Sequence, residues 1–240
     1  MSYDILVLNP GSTSTKAAVY RDERPLMSRS VIHSNQDLAP YPALNDQLDY
    51  RVGMVRSWLA LEGYELSQVS AVVGRGGIIP NIVSGGYQVN EELADCLLHH
   101  TVFDHASNLG GLMAREFAQP LQVPAYIYDA VTSDELLPEA RVTGFKEVTR
   151  TSFCHVLNAR ATGHKYAQAM GRRYEDMNLV VAHLGGGISV SAHCHGRIID
   201  SVSDDAGPFS PDRGGSLNML YVLEMCYSGK YTKAEMMKKI

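Results

Sequence analysis

Asn9-Pro10-Gly11-Ser12-Thr13-Ser14-Thr15-Lys16 follows directly on the apolar run Ile5 to Leu8. Ile5-Leu6-Val7-Leu8 is a short buried strand, Pro10 and Gly11 break it, and Lys16-Ala17-Ala18-Val19-Tyr20 resumes an extended pattern. Gly11 lets backbone come close to a ligand. The hydroxyls from Ser12 to Thr15, with their N–H groups, offer donors to phosphate oxygens. A plain hairpin accounts for the same residues, since hydroxyl-rich turns are common. A Walker A loop does not, because no glycine precedes Lys16 and Ala17 follows it.

The stretch has a second copy. Asp4-Ile-Leu-Val-Leu-Asn9-Pro-Gly11-Ser-Thr lies without gaps on Asn178-Leu-Val-Val-Ala-His183-Leu-Gly185-Gly-Gly, at a constant offset of 174 (His183 against Asn9). Each copy is followed by a second strand, a tight turn (Arg21-Asp22; His195-Gly196) and a third extended piece. A duplicated unit of this kind predicts two similar sheet domains facing each other, their turns converging on one ligand.

With these residues the sequence resembles the acetate and sugar kinase, Hsp70 and actin superfamily, and within it the butyrate kinases of the acetate kinase group. The matching segments, in family order, are Asn9 to Lys16, Val73-Gly-Arg75-Gly-Gly77, His105-Ala-Ser-Asn108, Asp129, His183-Leu-Gly-Gly-Gly187 and Gly207-Pro-Phe-Ser-Pro-Asp-Arg213. Two details resemble butyrate rather than acetate kinases: Arg75 before its two glycines, and Gly186 where acetate kinases carry asparagine. The resemblance implies an α/β fold of two related ribonuclease H-like (actin-like ATPase) domains facing a central cleft, here residues 1–150 and 151–240, the second incomplete. It also implies ATP and Mg2+, a small carboxylic acid as acceptor, and a homo-oligomer.

The remaining composition bounds the partners. With 21 basic and 26 acidic residues, no basic block and no interleaved aromatic patch, nucleic acid is not expected. Cys96, Cys154, Cys194 and Cys226 are scattered, which suits free thiols and a cytoplasmic setting. No apolar run has signal-peptide or membrane-spanning length.

Further along the chain, Leu44, Leu48, Val52, Val55 and Leu59 fall at helical spacing. Val69 to Val73 is a strand that runs into Gly74-Arg75-Gly76-Gly77, setting a guanidinium at the sheet edge for carboxylate or phosphate; a surface arginine in a flexible turn is the alternative. Asn90 caps a helix to His100, and a further helix opens at His105 and stops at Pro120. His99, His100 and His105 lack supporting ligands for zinc. Asp129 is the first residue past the strand Val123 to Tyr128, where open α/β sheets gather ligands; a helix-capping aspartate is the alternative. Thr151 to Tyr174 reads as a long helix joining the halves. His193 and His195 share one strand face with Cys194 on the other, so the three could not converge on a metal. Two prolines stiffen the loop that carries Arg213, whose alternative is a structural pairing with Asp204, Asp205 or Asp212.

The resemblance distributes roles over these positions. Asn9, Gly11, Ser12, Ser14, Lys16, His183, Gly185, Gly186 and Gly187 would hold phosphates. Arg75, His105, Asn108 and His155 would lie beside the substrate. Asp129, Arg213 and Arg75 would be catalytic, with Asp129 also supporting Mg2+. The implied reaction is reversible transfer of the ATP γ-phosphate to butyrate or a related fatty acid. An acetate or propionate kinase, or a non-catalytic remnant that binds an acyl phosphate or a protein partner, stays open.

Thr232-Lys-Ala-Glu235 is a capping box, and Met236, Met237 and Ile240 begin an apolar helical face. Only 63 residues run from Asn178 to the end (240 minus 177). The family continues through an adenosine-binding turn, so a fragment, a truncated product or a fold completed by something else is expected. Such a chain is expected to bind nucleotide weakly and turn over slowly.

Overall fold

The computed structural model describes residues 2–203 and 206–239. The chain divides into two compact units, Met1–Ser133 and Asp134–Ile240. In the first, β1 (Asp4–Pro10), β2 (Ser14–Arg21) and β3 (Arg24–Ile32) form an antiparallel meander. Then come α1 (Asn35–Leu38), α2 (Gln47–Leu61), β4 (Val69–Arg75), β5 (Gly86–Gln88), α3 (Glu91–His99), α4 (Asn108–Leu121) and β6 (Ala125–Tyr128). The sheet order is β3-β2-β1-β4-β6-β5, with β4 parallel to β1, β6 parallel to β4, and β5 antiparallel at the edge.

Alternation along β1 places Leu6 and Leu8 fully inside, where they join Val19, Val72 and Ile127 of the sheet and Val55, Leu59, Met113 and Phe117 of α2 and α4 in one core. Each such side chain contributes roughly 1.5–3 kcal/mol by leaving water. At the start of β1 the buried Asp4 carboxylate takes Arg21, its cross-strand partner, at 2.7 Å and the Tyr64 hydroxyl at 2.9 Å. The Arg21 hydrogen bond holds the Asp4 carboxyl below its ordinary range.

The helix expected to stop at Pro120 carries that proline inside its last turn. Proline removes the N–H that would bond Glu116 O, and Arg56 Nη2 donates to that oxygen instead at 3.0 Å. The start of α4 crosses the end of β4 at backbone contact: a Cβ on Gly74 would lie 2.0 Å from Gly110 O. Only glycine on both elements permits that approach.

The second unit holds α5 (Val156–Ala169), then β7 (Asn178–Leu184), β8 (Ile188–Cys194) and β9 (Arg197–Val202), an antiparallel sheet in the order β7-β8-β9. Two helices follow, α6 (Met219–Tyr227) and α7 (Lys233–Met237), the latter with the expected Thr232–Glu235 capping box. The sequence places the division between domains at 150/151. Residues 134–150 are bonded within the second unit: Arg141 grips Asp134 at 2.7 Å, Leu137 N–H donates to Ile199 O at 3.0 Å, and Arg150 reaches Asp200 at 3.0 Å. The helix α5 is shorter than the span 151–174, because His155 (ψ 59) lies outside helical geometry and Gly171 (φ 64) turns the chain away.

The repeat is structural as well as sequential. Asn178–Leu184 is Asp4–Pro10 displaced by 174 at both ends, and bulges fall between Val19 and Tyr20 in one sheet and between Ala192 and His193 in the other. The turns differ by one residue, Pro10 facing Thr15 across the first and Leu184 facing Ile188 across the second. The gapless alignment therefore slips one position beyond the turn.

Candidate active site

The turn between β1 and β2 hides its acceptors and keeps donors available. Gly11 O, Ser12 O and Ser14 O accept from the Arg51 guanidinium at 3.0, 3.3 and 3.2 Å, and Thr13 O accepts from His33 N at 2.8 Å. Gly11 N–H closes the turn onto Ser14 O at 2.7 Å. The N–H groups of Ser12 and Thr13, both exposed residues, donate to no described group. Asn9 and Lys16 face each other across the hairpin and are exposed.

Arg51 was not among the expected site residues. It is fully buried on α2, and its other donors go to Thr15 Oγ1 at 2.9 Å and Gln47 Oε1 at 2.9 and 3.2 Å. The signal was present in the sequence: position 51 lies on the same helical stripe as Leu48, Val52 and Val55, where a charge needs an internal partner. Thr15 Oγ1 also meets His33 Nε2 at 2.8 Å. The Tyr50 hydroxyl lies 3.4 Å from the other ring nitrogen, Nδ1. Burial, with Arg51 adding to it, holds the His33 pKa below its ordinary value.

At the C-terminal ends of β4 and β6, Arg75 pairs with Tyr128, the residue before Asp129. The Arg75 side chain is half-buried, burial lowers its pKa, and no described group bonds its guanidinium. Asp129 is buried with φ at 43, a left-handed conformation that costs a non-glycine residue about 1–3 kcal/mol. A two-way clasp holds it there: Asp129 N–H donates to Gly85 O, and Gly85 N–H donates to Asp129 Oδ1, both at 2.9 Å.

His105 and Asn108 meet at the start of α4. His105 Nδ1 accepts from Ser107 N–H at 3.2 Å, which leaves the ring proton on Nε2. The buried Asn108 amide is committed inside the protein, accepting from Ile78 N at 2.8 Å and donating to Thr101 Oγ1 and Phe103 O at 3.2 and 3.0 Å. It fixes the chain that leaves Arg75.

In the second unit, the His155 and His183 rings stack 3.7 Å apart and nearly parallel. Ser189 Oγ bonds His155 Nδ1, and Asn158 Nδ2 meets His183 Nδ1, both at 2.8 Å. The adjoining glycine turn is stitched to the Arg213 loop: Gly186 O accepts from Ser210 Oγ at 2.6 Å and from Asp212 N at 3.0 Å. A side chain at 186 would displace the Asp212 carboxylate, since a Cβ there falls 2.2 Å from Oδ2. Arg213 is exposed, with Nη1 on Asp212 O at 3.0 Å. Asp204 and Asp205, its other suggested partners, lie outside the described residues, as does Ile240.

Each unit carries an antiparallel three-stranded meander with a glycine turn between its first two strands, the arrangement of the actin-like ATPase fold. The fold matches the acetate kinase of Porphyromonas gingivalis with a TM-score of 0.76 at 17% identity, over 99% of this chain and 67% of that one. No family model matches the sequence. Over 238 residues the chain is 45% identical to a protein of Listeria monocytogenes named "probable butyrate kinase", covering 98% of this chain and 67% of the relative. To butyrate kinase 1 of Clostridium acetobutylicum it is 42% identical over 240 residues, 99% of this chain and 68% of the relative. The chain belongs to the butyrate kinase family, phosphotransferases with a carboxyl group as acceptor, and spans about two thirds of these relatives' length.

Proposed function

We propose that the protein transfers the γ-phosphoryl group of ATP to butyrate or a closely related short-chain acid. The reading is carried by Arg75: a half-buried guanidinium at the ends of parallel strands, with no bond from any described group, is suited to a carboxylate. In the step itself a carboxylate oxygen forms a bond to the γ-phosphorus, the bond from that phosphorus to the β–γ bridging oxygen breaks, and ADP leaves with the electron pair. No proton has to move, so the protein's task is orientation and charge neutralisation.

Within the first unit, Asn9, Gly11, Ser12, Ser14 and Lys16 hold phosphate oxygens, Arg75 holds the acid, and His105 and Asn108 support its pocket. Within the second, His183 and the Gly185, Gly186 and Gly187 backbone hold phosphate, His155 lies beside the substrate, and Arg213 offsets charge on the transferring group. Asp129 is the candidate for Mg2+. Among the described residues no three acidic, His or Cys side chains gather to cage a metal. A lone carboxylate fits an ion whose shell is completed by water and substrate phosphates. When bound, that ion neutralises phosphate charge.

Calorimetric titration of butyrate into wild type, Arg75→Ala and Arg75→Lys tests the reading. Losing a charge-assisted contact with a carboxylate is expected to weaken butyrate binding about tenfold or more, with lysine restoring little of the bidentate grip. Binding within threefold of wild type in both variants would remove Arg75 from the acid site.

A further inference from the structure

We propose that Arg51 is the positioning residue of the phosphate turn, a buried guanidinium that draws the turn's carbonyls inward and leaves its N–H groups to the ligand. The proposal rests on reading that turn as phosphate-binding. A hairpin loop has equal numbers of donors and acceptors, and with its carbonyls outward it repels an anion. Here Arg51 takes three of the four loop carbonyls, those of Gly11, Ser12 and Ser14, and His33 N takes that of Thr13. What stays open to a ligand is the Ser12 and Thr13 N–H pair, beside the hydroxyls and Lys16.

The charge argues the same way. Every hydrogen-bond partner of Arg51 is neutral: backbone oxygens, Thr15 Oγ1 and Gln47 Oε1. Placing an arginine with no carboxylate partner fully inside the protein is costly. An anion held on the turn offsets part of that cost, so Arg51 supplies positive potential as well as shape. Lysine could not do the same, because a single ammonium has three donors and no planar fork to span three carbonyls, a hydroxyl and an amide.

Calorimetry with inorganic pyrophosphate as the titrant, on wild type, Arg51→Lys, Gln47→Ala and the Ser12→Ala/Ser14→Ala pair, separates the possibilities, with thermal unfolding as the check on folding. Arg51→Lys is expected to fold with a lowered midpoint, bind pyrophosphate at least tenfold more weakly, and bind butyrate within threefold of wild type. Gln47→Ala keeps the guanidinium but frees two of its bonds, and about a threefold loss for pyrophosphate alone is expected. Should Arg51→Lys not fold, Gln47→Ala decides: unchanged pyrophosphate affinity overturns the proposal. If the serine pair weakens pyrophosphate while folded Arg51→Lys and Gln47→Ala do not, Arg51 is structural only. If none of the folded variants changes pyrophosphate binding, the phosphate reading of the turn fails, and the proposal with it.

Discussion

Asp129 and His193 are both buried polar residues, yet opposite outcomes are expected of them. Asparagine tolerates the left-handed backbone of Asp129 and can still accept from Gly85 N–H, so Asp129→Asn is expected to leave the thermal midpoint within a few degrees of wild type. It removes the charge, and acyl phosphate formation trapped with hydroxylamine is expected to fall at least a hundredfold, about 2.7 kcal/mol of transition-state stabilisation. Activity within threefold would take Asp129 out of the site. His193 is structural: it accepts from the Tyr174 hydroxyl at Nδ1, donates from Nε2 to Ser191 Oγ at 2.7 Å, and burial, with Arg160 adding to it, lowers its pKa from 6.5 to about 4. A depressed histidine contributes stability that is complete above about pH 6.5 and drains as the pH falls toward 4, because only the unfolded chain takes up the proton; the full loss is about 3 kcal/mol. Melting curves from pH 7.5 to 4.5 should show the fall, and His193→Gln should flatten part of it, His33 adding to the slope in the same sense. An unchanged slope in that variant would contradict the assignment. The sequence reading put His195 on the same strand face; β8 ends at Cys194, and His195 sits in the turn at φ 46.

Among the elements, the crossing of α4 over β4 brings the start of α4 against the strand end that carries Arg75, and glycine is its requirement. A Cβ on Gly110 would stand 2.3 Å from Arg75 O, so Gly110→Ala is expected to cost about 2–4 kcal/mol in urea denaturation. Gly53, exposed in α2 with nothing within 4 Å of a Cβ, is the control: Gly53→Ala should stabilise by about 0.5–1 kcal/mol. Equal effects at the two positions would refute the close crossing. The strands and turns of both copies were legible because alternation and glycine breaks are local signals. The helix α5 was over-extended because apolar spacing continues past its ends, whereas His155 and Gly171 set them through backbone angles. Helical spacing marks Arg51 as facing inward, but its partners are carbonyls of a turn 37 to 40 residues away, which spacing within the helix does not name. The one-residue difference between the two turns could not be read from an alignment that stops at the turn.

At the scale of the molecule, the repeat gives β1 and β7 unequal company. In the first sheet β1 lies between β2 and β4, whereas β7 pairs with β8 alone among the described strands, and α6 buries none of its side chains. Leu220, Tyr221 and Tyr227 are 66%, 65% and 87% exposed on that helix. Exposed apolar faces and open strand edges promote association, so weight-average mass in sedimentation should rise with concentration, and Leu220→Lys should reduce the rise. A monomer at every concentration would contradict this. The claim on which the rest depends is that the chain phosphorylates a short-chain carboxylate. The most direct measurement supplies ATP, Mg2+ and hydroxylamine with acetate, propionate, butyrate or hexanoate in turn and follows the hydroxamate formed. Hydroxamate that scales with protein, is greatest with butyrate and is lost in Asp129→Asn is expected. Folded, ATP-binding protein that yields none with any of the four acids would contradict that claim.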